Sequence, residues 1–445
     1  MKKLLIVILA SLAFISGCGK SGPAEKTDKV VIISPHNENI KMEIERGFKA
    51  WYKESFDADV QVDWRDIGGG GSSILNYLRN IYKMSDTCEV DILFGSGDAP
   101  HQYLSAEGLL EKYNPPADFL ANVDPVFSGM RMYDENGCWY GTVLSSFGFV
   151  YNKMILRELG LAEPKVWEDL GTSDMRGNLI LADPSQSSSI AAAYEMVLQS
   201  ENDWHKSWKK LFAILANAKK YTSSSGAAAN APVIGEAAVA ACIDYYGAMY
   251  VAKEPEKLGY VSPKGGTGFT PDPISILKNP PNKETAKRFM DFVLSIEGQR
   301  LWALPVGHPD GPEKYCLNRP PVRKDFYDAY GDDMPAWIAK PYSSDPIEVD
   351  AELRKKRYDV IVLLVKTSAV ENPALLREAK GFVDAAGGAL DEEFYALPEN
   401  IQSIEDIYKL HELVTDDAAR QKITSGWSQF FRDKYKSVIE KGKQL

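Results

Sequence analysis

Sites that would hold a structural metal are missing from this sequence. Its five cysteines, Cys18, Cys88, Cys138, Cys242 and Cys316, never fall at C-x-x-C spacing, and its five histidines are scattered. Neither a zinc cluster nor an H-E-x-x-H helix can be built from them. G-x-S-x-G and Walker-type loops are also absent, which removes the usual starting points for a serine hydrolase or a nucleotide-driven enzyme. Gly95-Ser96-Gly97 opens like a dinucleotide fingerprint, but Pro100 stands where the third glycine is needed for close helix packing, so no cofactor is expected. Positive charge is short as well. With 51 Lys and Arg against 62 Asp and Glu the net charge is −11, and no basic stripe is interleaved with aromatics, which excludes nucleic acid as a partner.

What is present begins with an export signal. Lys2-Lys3 and the apolar run Leu4 to Ile15 form a charged and then a hydrophobic region too short to span a bilayer. The next residues, Ile15-Ser16-Gly17-Cys18, resemble the lipobox of bacterial lipoproteins. That resemblance implies that residues 1–17 are removed, that Cys18 carries lipid, and that residues 18–29 are a flexible tether to a membrane, on the periplasmic or extracytoplasmic face. Losing Lys2 and Lys3 takes the charge from −11 to −13. No later run is long and apolar enough to be a second membrane segment. Four further cysteines outside the cytosol permit two disulfides, and Cys88 with Cys138 is the favoured pair because both precede strand-like runs; Cys242, inside AAVAACI, reads as a buried thiol.

The 445 residues, 44% of them hydrophobic, allow two or three domains. Val30 to Ser34 is a short apolar run of the kind that makes a strand covered on both faces, and a helix follows from Glu38 to Phe56. Strand Val60 to Trp64, the glycine loop Gly68 to Gly71 with Ser72-Ser73, and a second helix repeat the pattern. Strand Val90 to Phe94, Gly95 to Asp98 and a third helix repeat it again. Strand, small-residue loop and helix in series predict an α/β unit with a mainly parallel sheet, whose ligands sit beyond the carboxyl ends of the strands. Val143 to Tyr151 reads as one strand and as the first crossover to a second unit, with Ser145-Ser146 at the junction. Pro271 to Leu277 brings the chain back, and two crossovers make a hinge. Helices are predicted at 349–366, 373–386, 404–414 and 416–441.

The stretch Ala182 to Val197 carries the most chemistry. A buried strand ends at Ala182, Asp183-Pro184-Ser185 turns, and Ser187, Ser188 and Ser189 lead an Ala-rich helix. At a helix start the first N–H groups lack partners and the dipole is positive, so a small anion is favoured there, with serine hydroxyls as extra donors.

Five segments in order, Cys88 to Tyr113, Gly141 to Leu161, Gly177 to Ser189, Gly235 to Tyr246 and Pro271 to Trp302, resemble the solute-binding proteins of ABC importers. The likeness is to the family of ferric-ion, polyamine, 2-aminoethylphosphonate, thiamine and hexose-phosphate receptors. The resemblance implies a two-lobed type II periplasmic-binding-protein-like α/β fold with a hinge. Lobe 1 is then 30–145 and 263–325, lobe 2 is 146–262, and a helical C-terminal region, 326–445, packs on lobe 1. It implies a single-copy binding protein, not an enzyme, which traps a small solute between its lobes and presents it to permease subunits. Ligand positions carried over are His36, Asn37, Gly70, Ser72, Gly97, Asp98, Ser146, Ser187, Ser188, Ser189, Ser224, Asp244, Tyr245, Tyr246 and Asp272. The hydroxyl-rich loops favour an oxygen-rich anion such as a phosphonate, sugar phosphate or carboxylate. The alternative is ferric ion on Tyr245, Tyr246 and His36, hard oxygen ligands suiting that hard cation. An exported enzyme acting on a phosphorylated compound is the reading of another class; it calls for an acid, base or nucleophile pair in the cleft, which the sequence does not offer.

Overall fold

The structure, a computed structural model, describes residues 27–445 apart from Gly69. The signal peptide, Cys18 and most of the tether lie outside the described residues. In chain order the strands are β1 (Asp28–Ile33), β2 (Val60–Arg65), β3 (Ile92–Phe94), the short hairpin β4 (Val126–Phe127) and β5 (Met130–Arg131), β6 (Tyr140–Ser145), β7 (Phe147–Asn152), β8 (Leu179–Ala182), β9 (Ala218–Thr222), β10 (Val239–Ile243), β11 (Leu258–Val261) and β12 (Thr270–Ile276). They build two five-stranded sheets, ordered β2-β1-β3-β12-β6 and β11-β7-β10-β8-β9. Each sheet with its helices is one lobe.

β1 is buried from Val30 to Ile33 because helices cover both faces of its sheet, which is why it reads as an unbroken apolar run. The helix Glu38–Phe56 buries Ile40, Ile44, Phe48 and Tyr52, one per turn, and lays Phe48 against Phe289 and Phe292 of the helix Lys283–Leu294.

Three expectations about the strands and cysteines change. The sheets are mixed rather than mainly parallel: β1 runs parallel to β2 and β3, whereas β12 is antiparallel to both β3 and β6. A strand that returns from the other lobe enters from the opposite end, so the crossover itself reverses the direction. Val143 to Tyr151 is not one strand. β6 and β7 lie in different sheets, and the break falls at Ser146. Cys88 and Cys138 are free thiols in one small apolar cluster, not a disulfide: the Cys88 thiol donates to the Val90 carbonyl (3.1 Å) and meets the Tyr82 hydroxyl (3.3 Å). Cys242 is buried, as expected.

The C-terminal region is helical, but it does not rest on the first lobe. Its contacts there are confined to its first part, where Phe326 of the helix Lys324–Tyr330 packs with Ala303 and Leu304, the Val349 N–H reaches the Ser128 carbonyl and Arg354 meets Asp98. The helices Ala351–Val365, Pro373–Ala385, Asp391–Tyr395 and Asp417–Gly442 cover the second lobe. The reason is an aromatic seam. The helix Trp204–Ala216 presents Trp204, Trp208 and Phe212 at four-residue spacing, and Phe212 meets Phe394, Phe431 and Tyr435 at centroid distances of 5.1, 6.2 and 6.3 Å.

Candidate functional site

The site is built where strands end and the lobes face each other. On the first lobe β1 runs into Ser34-Pro35-His36, β3 into Gly95-Ser96-Gly97, and β12 carries Asp272. The three residues after β3 have φ of 83°, 86° and 73°, so the non-glycine Ser96 holds a conformation that L-residues avoid. This curl turns the Gly97 N–H onto Asp272 Oδ1 (3.0 Å). Asp272 Oδ2 accepts from Arg319 Nη1 (2.6 Å) and lies 3.1 Å from His36 Nε2. Arg319 Nη2 donates to Ser145 Oγ (2.7 Å), while Arg319 Nε and His36 Nδ1 are buried without partners.

Burial works against ionisation of Asp272, but the Arg319 guanidinium and then the His36 contact outweigh it and hold the carboxyl well below the usual range. Burial lowers the His36 pKa more than the Asp272 contact raises it, and its Nε2 lies between Asp272 Oδ2 (3.1 Å) and Arg319 Nη1 (3.3 Å). The result is an arginine-aspartate pair at the centre of the first lobe, with His36 wedged edge-on against Phe94 and Trp302.

On the second lobe the Ser146 N–H and Oγ both reach Asp244 Oδ2 (2.8 and 3.1 Å), and Ser146 Oγ pairs with Ser262 Oγ (2.9 Å). One serine thus ties the first crossover to the start of the second. Asp244 is fully enclosed, with Oδ1 unpartnered, and burial pushes its carboxyl up to about 6 against the opposing hydrogen bonds from Ser146. Next to it the Tyr245 and Tyr246 rings lie 4.1 Å apart, and the Arg319 guanidinium comes across to 5.6 Å from the Tyr245 ring. Burial, and then Tyr246, push the Tyr245 hydroxyl far up.

The serine-led helix is Ser188–Gln199. Its N-cap Ser187 makes no side-chain cap; its Oγ accepts instead from the Ser225 N–H (3.3 Å) and pairs with Ser189 Oγ (3.3 Å), and Ser188 is exposed. The helix Gly71–Met84 begins at Gly70 and the helix Asp98–Ala106 at Gly97, neither with a side-chain cap, and Ser72 is exposed on the first of them. Asn37 and Ser224, by contrast, are ordinary caps: Asn37 Oδ1 accepts from Ile40 N–H (3.1 Å) and Ser224 Oγ from Ala227 N–H (3.1 Å). Asp98 faces Arg354, whose Nη1 lies 3.2 Å from Asp98 Oδ2.

Of the positions expected from the sequence, His36, Gly97 and Asp272 meet in one cluster, and Ser146, Asp244 and Tyr245 in a second beside it. Arg319, which joins them, is not among the expected positions, because an arginine ahead of two prolines carries no local pattern of a site. The usable sequence signal is an arginine with no acid within five residues; the structure buries the whole stretch from Leu317 to Val322. Arg354 and Arg357, which the helical tail brings to the cleft wall, left no such trace. A separate hollow of about 400 Å³ follows the return crossover, lined by Ser262, Lys264, Thr267, Phe269, Lys340 and Ser343, none of them an expected ligand position. No group of three or more His, Cys, Asp and Glu side chains among the described residues is arranged to hold a metal.

Comparison with known proteins agrees with this architecture. The phosphoglycerate transport regulatory protein PgtC of Salmonella typhimurium is 29% identical over 160 residues, 36% of this chain and 39% of that protein. A putative 2-aminoethylphosphonate-binding periplasmic protein of Salmonella typhi is 25% identical over 274 residues, 58% of this chain and 75% of its own. The periplasmic binding protein AfuA of Actinobacillus pleuropneumoniae, solved with fructose-6-phosphate, superposes with a TM-score of 0.56 at 20% identity, over 80% of this chain and 98% of its own. The family profile described as bacterial extracellular solute-binding protein matches residues 90–315. With the two lobes, the two crossovers and the polar cluster between them, that match places the chain in a family: it belongs to the bacterial extracellular solute-binding proteins.

Proposed function

We propose that this protein is the solute-binding component of an ABC importer, held to a membrane by lipid on Cys18, and that it captures a small oxygen-rich anion bearing a phosphate, phosphonate or carboxylate. The observation that carries the reading is a set of three helix starts, at Gly70, Gly97 and Ser187, whose side chains leave the first N–H groups uncapped. Such starts offer donors and positive dipole to an anion without needing a free cation. The phosphorus-bearing solutes in the names of three similar proteins are of this class. No covalent step is required. Contacts made by both lobes exist only when the lobes approach, so the solute shifts the population to the closed form and permease subunits read the closure.

A ferric reading calls for Tyr245 and Tyr246 as phenolates. Burial opposes that ionisation at Tyr245, the guanidinium 5.6 Å from its ring favours a phenolate but repels a metal cation, and the nitrogen His36 would offer already faces Asp272. The test is a thermal-shift screen of the mature protein with 3-phosphoglycerate, 2-aminoethylphosphonate, fructose 6-phosphate, dicarboxylates and ferric salts. A rise in Tm with the phosphorus compounds, abolished in Ser188→Ala, supports the proposal. Visible colour with iron that disappears in Tyr245→Phe overturns it.

A further inference from the structure

The helix Ala351–Val365 is bound firmly to the second lobe. Arg357 Nε donates to both carboxylate oxygens of Glu195, at 3.0 and 2.9 Å, with the two side chains 3% and 5% exposed. Three residues earlier, one side chain leaves that lobe. Arg354 sends Nη1 to Asp98 Oδ2 (3.2 Å) and Nη2 to Asp98 Oδ1 (3.4 Å). Asp98 opens the helix that follows β3, so it moves with the first sheet, and its neighbour Gly97 is the residue held by Asp272. Among the described residues this is the one ion pair that joins the two lobes.

The stem of Arg354 is seated as well. It lines a water-sized hollow with Ala191, Ala192, Glu195, Tyr358 and Ile361, against the first turns of the serine-led helix. The chain just before it is fastened to both sides. Val349 N–H donates to the Ser128 carbonyl (3.1 Å) near the first lobe's hairpin, and Asp350 N–H donates to Gln199 Oε1 (2.6 Å) on the second lobe. With Arg357 clamped one turn further on, the Arg354 side chain cannot follow Asp98 if the lobes part by more than a few ångströms, so opening breaks the pair.

We propose that Arg354 is a positioning residue for solute capture: carried on the second lobe by the C-terminal helices, it grips Asp98 of the first and biases the empty protein toward the lobe separation seen here. A contact present in one of two states shifts their ratio by its own differential free energy, and a solute that needs both lobes meets a larger competent fraction. The pair also neutralises the one acid on the Gly97 loop, so separation of the lobes bares a negative charge beside the uncapped helix start and makes the open form a poorer host for an anion. The latch depends on lobe geometry alone and holds whichever solute binds.

Small-angle scattering of the mature full-length chain without added solute tests it, so a failed solute screen and a failed latch are separate results. Arg354→Ala and Asp98→Asn are each expected to enlarge the radius of gyration relative to the wild type, and Arg354→Lys to return it most of the way. Amide exchange over Val360 to Val365 is measured alongside, and protection equal to wild type there shows the helix still docked. An unchanged radius of gyration in both Arg354→Ala and Asp98→Asn overturns the proposal. So does an expansion accompanied by lost protection in that helix, since the tail would then have undocked instead. Should Arg354→Ala fail to fold, Asp98→Asn removes the same pair from the other lobe and decides the matter.

Discussion

Two buried titratable groups near the cleft pull stability in opposite directions with pH. His101 is fully enclosed, with Nε2 2.7 Å from the Gly95 carbonyl and Nδ1 2.9 Å from Ser275 Oγ, a pairing that suits one neutral tautomer; burial lowers its pKa to about 4. The native state therefore binds fewer protons than the unfolded chain, and the stability His101 contributes is present above its unfolded pKa of about 6.5 and is lost as pH falls toward 4. The loss amounts to about 3 kcal/mol, and urea unfolding of His101→Gln at pH 7 and pH 4.5 should show a correspondingly flatter dependence. Asp244 behaves the other way. Its raised value of about 6 means that its favourable share is present below the unfolded value and is lost as pH rises through 6. Wild type should thus fall relative to Asp244→Asn by about 3 kcal/mol between pH 4 and pH 7. Arg319 and Asp272 are 4% and 8% exposed. Arg319→Met leaves a buried carboxylate without its partner and should cost about 3 to 5 kcal/mol in the same assay. This pair was half legible in the sequence. Asp272 sits in a segment whose order and spacing carry the family likeness. Arg319 reaches the site because Pro320 and Pro321 run beside β6, the Leu144 N–H donating to the Pro320 carbonyl (2.8 Å), and a long-range pairing of that kind has no local pattern.

At the level of elements, helices were easier to read than strand pairing. The helix Glu38–Phe56 has the bounds its periodicity predicts, because one buried face repeats every turn and needs no knowledge of the neighbour. The continuous run Val143 to Tyr151 misled for the complementary reason. β6 and β7 are buried on all sides in different sheets, so hydrophobicity does not dip where the chain changes lobe. The break is set by Ser146, whose N–H and hydroxyl are captured by Asp244. The side on which the tail packs was equally invisible, since the Trp204, Trp208, Phe212 stripe shows that a partner is needed without naming it. That seam is testable. Phe431 is fully buried against Trp208, Phe212 and Tyr435, so Phe431→Ala should lower the unfolding free energy by about 3 to 5 kcal/mol. It should also speed amide exchange in Asp417–Gly442 more than in the first sheet, which hydrogen-exchange mass spectrometry can resolve.

Taken whole, the molecule is an acidic body for which an anionic solute is proposed, and the kinetics should carry that contradiction. The chain carries a net charge of −11, so the far field repels an anionic solute and steering cannot assist its approach. The two arginines nearest the cleft do not reverse this locally, because Arg319 faces Asp272 at 2.6 Å and Arg354 faces Asp98 at 3.2 Å. What remains is the partial positive charge of uncapped helix starts, which fades within about one helical turn. Recognition is then short-ranged while repulsion is long-ranged, and salt screens the second far more than the first, the Debye length falling from about 30 Å at 0.01 M to about 8 Å at 0.15 M. The association rate of a phosphate-bearing solute should therefore stay level or rise as ionic strength is raised across that range. Stopped-flow tryptophan fluorescence at several salt concentrations measures it. A rate that drops steeply with salt would mean that an exposed cationic patch guides the solute, and the arginines would then have to leave their aspartates before it arrives.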